Sequence, residues 1–448
     1  MKNPLFQKCA LLALLAALLL IPLAMIERTI DERTAHRAGA IRAIAASSAG
    51  EQSIVGPVLT VVVEEEFDEE KGDDNNGWSK KHTVRSKRLH TIETLPRLVH
   101  LDGALNVEKR AYGLHETAVF ELDGSVSGTF DTPTAASLPP LGANARLTWG
   151  KPTLSMGITD PRGVTGEPKI ELGGQALSPR RTAHIAGAEE GFHGASNAHL
   201  DGKSTSLPFR IDLRLAGTGS IGFVPLGEVS TAELRGNWPH PSFGGNFLPR
   251  SRELNKDGFV ARWSTTGLAS ASEASKAQAQ DAGFQVRLID PVDVYRQALR
   301  AVKYGVLFVV LSFAAFFTFE NLKALPIHPI QYMFVGLTQA VFFLLLTSLS
   351  EHISFSLAYL AAATASITLI GVYLASILRG WQRGVGFSSA LVILYASLFG
   401  ILRSEQNALL LGSLLLFVAL AGLMLGTRRI DWYGLGQPAT AADPAGKV

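Results

Sequence analysis

The sequence predicts a membrane protein of the α plus β class. Six transmembrane helices are expected, with a large all-β, sandwich-like domain inserted between helix 1 and helix 2. Three observations predict it. Hydrophobic residues make up 47% of the 448 residues and charged ones 18%, whereas soluble chains carry about 25% charge. The apolar excess is gathered into a few long runs, one near the N-terminus and the others after residue 300. Between them the chain alternates apolar with polar residues and is broken often by Gly and Pro, the spacing of short strands.

The first run, Cys9 to Ile26, is almost all Leu and Ala and follows Lys2 and Lys8. Its length is near the minimum for a spanning helix, and no small-x-small cleavage site follows. Residues 1–26 therefore read as an uncleaved signal anchor. The chain continues as helix to about Ala46, giving a helical stalk over 27–55. Later runs cover Tyr304 to Phe319, Ile330 to Leu349, Phe355 to Leu378, Val385 to Leu402 and Ala408 to Leu425. Hydrocarbon supplies no partner for a backbone N–H or C=O, so these runs are helices. They form a five-helix bundle over 304–426, with a tail over 427–448. Lys and Arg of the short segments, such as Lys323, Arg379, Arg383, Arg428 and Arg429, fall on the side of the N-terminus. Both termini are thus expected to be cytoplasmic and the long insertion to face outward.

Residues 56–289 form the β-rich region. Val58–Val63, Tyr112–Leu122, Phe209–Leu215 and Phe284–Ile289 are the clearest strand segments. The acidic Glu64–Asp74 and the basic Lys80–Arg88 read as a solvated hairpin, self-neutralising in sign. Ser264–Gly283 reads as a surface connector. Asp290-Pro291-Val292-Asp293 is a helix start, with Asp290 as N-cap, Pro291 at N1 and Asp293 at N3. From there Val292, Tyr295, Ala298, Leu299 and Val302 form an apolar stripe, with Arg296, Arg300 and Lys303 opposite. No breaker is evident before the next span, so 290–303 is expected to feed a rigid rod into the bilayer. Its basic face is explained by snorkelling or by contact with lipid head groups.

Motifs for chemistry fail on context. Gly217-Thr218-Gly219-Ser220-Ile221-Gly222 fits a dinucleotide fingerprint, but Phe223-Val224-Pro225 cannot open the helix the fingerprint needs, so a turn is expected. Gly124-Ser125-Val126-Ser127-Gly128 matches a nucleophile elbow yet lies inside an alternating strand. His184, His193 and His199 are scattered, and a single cysteine excludes Cys-rich metal sites and disulfides. No catalytic residue, cofactor or metal is expected. A net charge of +2, from 41 basic and 39 acidic residues, gives no field for nucleic acid. Among polar residues flanking the spans, Gln339 lies well inside, while Glu320, Glu351 and His352 lie at span ends; such groups raise the question of a solute path. Trp238-Pro239-His240-Pro241 is a stiff extended turn, which makes Trp238 and His240 candidates for contact or packing.

That last string, together with Gly245–Pro249, resembles the CreD family of bacterial inner-membrane proteins. So do Gln52–Leu59, Ile158–Gly163, Asp257–Phe259, Asp290–Gly305, Phe316–Glu320, Pro326–Tyr332 and Ser348–His352, in the same order. The Glu64–Asp74 stretch departs from the family's pattern, as a hairpin insertion would. The resemblance implies an inner-membrane location and an association with cell-envelope integrity, under two-component control. It carries no catalytic residue to transfer. The leading expectation is a non-enzymatic envelope protein whose periplasmic β domain meets peptidoglycan, lipid or another protein. The 290–303 helix would then couple that domain to the bundle. The alternative is a transporter or lipid-handling protein using a path among the later spans; a periplasmic hydrolase would need a clustered acid, base and nucleophile.

Overall fold

The computed structural model describes residues 4–73, 80–113, 115–267, 283–289, 294–323, 327–377, 381–404 and 407–428. The chain divides into two units: Ala38–Pro291, and Met1–Arg37 with Val292–Val448.

The first of these is built from two mixed sheets. One has nine strands along the order β14-β17-β12-β1-β6-β10-β9, with β2 and β5 also on β1. Its strands are β1 (Gln52–Asp73), β2 (Lys80–Thr94), β5 (Ala143–Trp149), β6 (Thr153–Ile158), β9 (Pro179–Arg181), β10 (Gly191–Ala195), β12 (Ser220–Val224), β14 (Pro241–Gly244) and β17 (Phe284–Leu288). The other has eight, in the order β15-β16-β13-β3-β4-β11-β7-β8. These are β3 (Leu98–Tyr112), β4 (His115–Asp131), β7 (Lys169–Leu172), β8 (Gln175–Leu177), β11 (Ser206–Thr218), β13 (Val229–Gly236), β15 (Ser251–Leu254) and β16 (Phe259–Thr266).

Alternation decides which face is buried, because successive side chains of a strand point to opposite faces. In β11, Phe209, Ile211, Leu213 and Leu215 are buried while Arg210 and Arg214 are exposed. One hydrophobic cluster takes residues from both sheets, among them Val61, Met156 and Phe223 from the first and Leu122, Phe130 and Trp263 from the second. The segment Tyr112–Leu122 is not one strand. Gly113, at φ +62°, turns the chain between β3 and β4, so Tyr112 ends one strand of a hairpin.

The other unit begins with α1 (Pro4–Leu18) and the part of α2 (Leu20–Ser47) up to Arg37, with one irregular residue between the two helices. Pro22 lacks the N–H that would bond to Leu18, which explains the irregularity. Then come α3 (Val294–Lys303), α4 (Gly305–Lys323), α5 (Pro329–Ser350), α6 (Phe355–Ile377), α7 (Trp381–Arg403) and α8 (Ala408–Thr427). Among the described residues, four helices are long and apolar enough to cross a membrane: Phe6–Ser47, Pro329–Ser350, Phe355–Ile377 and Gly384–Arg403. The pair α3 and α4 makes a fifth if counted as one bent span, and Leu409–Leu425 is apolar but shorter.

The rigid rod expected over 290–303 and the following span is corrected here. α3 and α4 meet at a break, bent by 41°. Gly305 sits at it, and a Cβ there would stand 2.9 Å from Leu23 and 3.1 Å from Phe343. A residue without a Cβ lets the Leu23 and Phe343 side chains approach the backbone at this break. The α3 stripe is present, with Tyr295, Ala298, Ala301 and Val302 buried. Close packing also fixes Gly336 in α5, where a Cβ would meet Leu19 at 2.1 Å.

Candidate functional site

The sequence around Ser47 ends a helix without a Gly or Pro to stop it, so the carbonyls of the last turn need partners from elsewhere. Ala46 in that turn finds one in the short turn Pro161–Gly163, and Ala49 and Gly50, just past the helix, find theirs in β11. Arg162 Nη1 donates to the Ala46 carbonyl at 3.1 Å, Thr218 Oγ1 to Ala49 O at 2.8 Å, and Thr218 N to Gly50 O at 3.0 Å. A guanidinium also suits the negative end of the helix dipole.

Arg162 is itself held. Its Nε and Nη2 donate to the two carboxylate oxygens of Asp160 at 2.9 and 2.7 Å, and this fork keeps the Asp160 carboxyl below the usual aspartate range. Asp160 also accepts from Gly50 N at 3.1 Å and caps the short turn Pro161–Gly163. Beneath lies Gln52, 3% exposed. Its Nε2 donates to Asp160 O and Ala216 O, both at 3.0 Å, and its Oε1 accepts from Asp160 N at 3.2 Å. Two glycines make room. A Cβ on Gly163 would fall 2.2 Å from Ala216 O and 2.3 Å from Gln52 Nε2, and one on Gly217 2.7 Å from Gln52 Cγ. The glycine-rich string 217–222 thus serves close packing and a turn at Gly219 (φ +81°), with no helix opening after it.

The other unit holds three polar stations. At the first, Glu320 is 4% exposed. It pairs with Lys8 and accepts from Tyr332 OH at 2.7 Å and Ile327 N at 3.2 Å. At the second, Gln339 Nε2 donates to Ser312 Oγ, both residues being buried. Gln339 Oε1 has no hydrogen-bond partner among the described residues. At the third, Glu351 accepts from Tyr295 OH at 3.0 Å, with Arg33 Nε 3.7 Å away. Along α5 these stations are separated by about 10 Å and about 18 Å, at 1.5 Å of rise per residue.

The family model for inner membrane protein CreD matches residues 4–433. The chain belongs to the CreD family. It is 36% identical over 449 residues to Inner membrane protein CreD of Escherichia coli (strain K12), covering 99% of this chain and 97% of that one. Among solved structures, an M1 zinc metallopeptidase from Deinococcus radiodurans aligns with 37% of this chain and 38% of its own, at 13% identity and a TM-score of 0.21. The chain is therefore a CreD-family inner-membrane protein with apolar helices and a large mixed-sheet domain.

Several segments that carry the CreD resemblance meet in pairs. Gln52 meets the Asp160 turn, Phe316–Glu320 meets Ile327–Tyr332, and Tyr295 meets Glu351. Trp238, 8% exposed, packs in the sheet core and donates from Nε1 to Ile289 O at 3.1 Å; His240 is exposed beside it. Arg296 is exposed and Arg300 half-buried on α3, and His352 is exposed just beyond α5. Asp290 and Asp293 lie outside the described residues.

Sequence reasoning missed Lys8, Arg33, Gln52, Asp160, Arg162 and Tyr332. It also took Glu320 for a watered span end, whereas it is buried and paired. The available signal was a lysine before the first apolar run and an acid near the matching end of a later one. The hairpin from Glu64 is a paired ladder through Asp73–Lys80, with ion pairs such as Arg85–Asp68, while Asp74 lies outside the described residues. Glu65 departs from the solvated reading. It is fully buried at an inward position, where His90 Nε2 lies 2.7 Å away and Gly142 N donates at 2.6 Å. His184 and His193 have ring centroids 4.4 Å apart. No group of three or more metal-ligating side chains occurs among the described residues.

Proposed function

We propose that this CreD-family chain is a non-enzymatic protein of cell-envelope integrity. It has six spans, both termini in the cytoplasm and a β-sandwich in the periplasm that contacts an envelope component. α2 couples that domain to the membrane bundle. The observation that carries the coupling is the clamp by Arg162 on Ala46 at the end of α2, continued by Asp160 and Thr218 on Gly50 and Ala49 just after it. α2 is helical without interruption from Leu20 to Ser47, and the boundary between the units falls inside it. A helix held at its end by charge-assisted bonds is a better lever than one ending in solvent. The bend between α3 and α4 makes the 290–303 route the weaker of the two connections. Orientation is supported by the Lys and Arg of the short segments.

Inserting Gly-Pro between Ala38 and Gly39 breaks this lever without touching either core. In a strain lacking its own family member, the variant should reach the membrane at normal levels yet fail to restore the barrier to an impermeant dye. Full restoration removes the coupling. Topology is tested with His240→Cys in a Cys9→Ser background, which an impermeant maleimide should label from the periplasmic side.

One observation favours a second reading, transport or lipid handling among the later spans: the buried Gln339 Oε1 without a partner. Replacing Gln339, Glu351 and His352 by leucine should stop transport, while a binding role of the sheet domain survives.

A further inference from the structure

We propose that the outward face of the eight-stranded sheet holds a binding cleft for a short zwitterionic peptide, one carrying at least one free ammonium and one free carboxylate. Its link to the bundle rests on the coupling reading above; the binding itself does not.

The cleft follows from register. Outward positions place Arg235, Ala104, Asp123 and Arg214 in one row across β13, β3, β4 and β11. The adjacent row is Glu233, Asp102, Ser125, Asp212 and Lys169, reaching β7. Ala104 and Ser125 are short and central, while the arginines and Lys169 flank them, so the middle of the face is a depression. Its volume is 660 Å³, within the range of about 300–1,000 Å³ typical of small-molecule sites.

The lining is balanced in charge. Arg235 pairs with Asp102, Arg210 with Asp212 at 3.0 Å, and Arg214 lies 3.9 Å from Asp123. Glu167 and Lys169 add one charge of each sign at the β7 end. A simple anion would meet a carboxylate beside every guanidinium, and a simple cation the reverse. A ligand bearing both charges finds a partner for each, since a guanidinium with five N–H donors retains some after one carboxylate is bound. Three strand spacings separate β13 from β11, about 14 Å. An extended tripeptide, about 10 Å long, fits between those banks.

One wall has a second connection. Thr165, Gly166 and Glu167 border the cleft and are joined through Val164 to Asp160–Gly163, whose Arg162 bonds to the last turn of α2. Thr165 N donates to Arg214 O at 3.0 Å and its Oγ1 to Glu121 at 3.2 Å. Gly166 takes φ +93° with open space where a Cβ would be. A peptide in the cleft therefore touches the loop that leads to the clamp.

The test uses the full chain in detergent, titrated calorimetrically with Ala-Glu-Lys bearing free termini. Binding is expected, weakened at least tenfold by acetylating and amidating the peptide ends, and at least tenfold by Ala104→Trp, which fills the floor from an exposed position. Lys169→Met should weaken it severalfold, and Arg252→Ala, on an edge strand, not at all. Competition by soluble peptidoglycan fragments would place the natural source in the cell wall; its absence would place it in a free or protein-borne peptide, and either supports the cleft. No binding of the free tripeptide, or binding unchanged by Ala104→Trp, overturns the proposal. Normal binding with a harmless Gly-Pro insertion in α2 would remove the coupling reading alone.

Discussion

The two units treat carboxylates in opposite ways. On the eight-stranded sheet, Glu233 and Glu253 share Arg262 at the surface, with side-chain exposures of 26%, 70% and 47%. Pairs of this kind are screened and individually worth little. In the helical unit Glu320, its side chain 5% exposed, depends on Lys8, Tyr332 and one backbone N–H. A buried charge in such surroundings is tolerated only while every partner is present. The sheet face has redundancy to spare for a ligand; the bundle has none.

The largest effect should come from breaking the bundle's pair. Glu320→Leu leaves Lys8 without its counter-charge and should cost about 3–5 kcal/mol, seen as a lowered thermal midpoint in detergent. Adding Lys8→Met should recover the part due to the unpaired ammonium, while the Tyr332 hydroxyl and the Ile327 N–H still lack their acceptor. Equal stability of all three proteins would mean that the pair holds nothing.

Next is Gly163→Ala, whose Cβ would collide with Ala216 O and Gln52. Overpacking of this sort costs about 1–3 kcal/mol, and here it should also loosen the end of α2. A variant as stable as the parent would show that the Gln52 junction yields easily.

That junction also marks where legibility ends. Apolar runs, strand alternation and the helical stretch after Ile26 are local patterns, and a single chain displays them openly. Gln52 lies 108 residues from Asp160 and 164 from Ala216, and nothing in the intervening chain says that they touch. Glu65 sits in an acidic run that reads as solvated, and only the inward parity of Val61, Val63 and Phe67 reveals that it points into the core. The bend at Gly305 was hidden for a different reason: a glycine in an apolar helix is unremarkable until Leu23 and Phe343 press on it. For the candidate site, the segments were visible through their resemblance, but their pairing was not.

Glu65 sharpens the comparison, being a buried carboxylate inside the sheet unit. The His90 ring and then the Gly142 N–H hold its carboxyl below the ordinary value of 4.5. Its stabilisation is thus complete above that pH and is lost as pH falls through the depressed value. Glu65→Gln should flatten the acid limb of the stability curve below pH 4.5; an unchanged limb in urea titrations would assign acid sensitivity to other groups. Smallest of all, Arg262→Ala should leave the unfolding midpoint where it was, as expected of a solvated pair.

The clamp on α2 is tested most directly by amide hydrogen exchange over residues 44–50 of the full chain in lipid nanodiscs, comparing the parent with Arg162→Ala. Protection there should fall by at least tenfold in the variant while β11 and β4 exchange as before. Identical protection in both proteins would contradict the claim that this junction holds the helix.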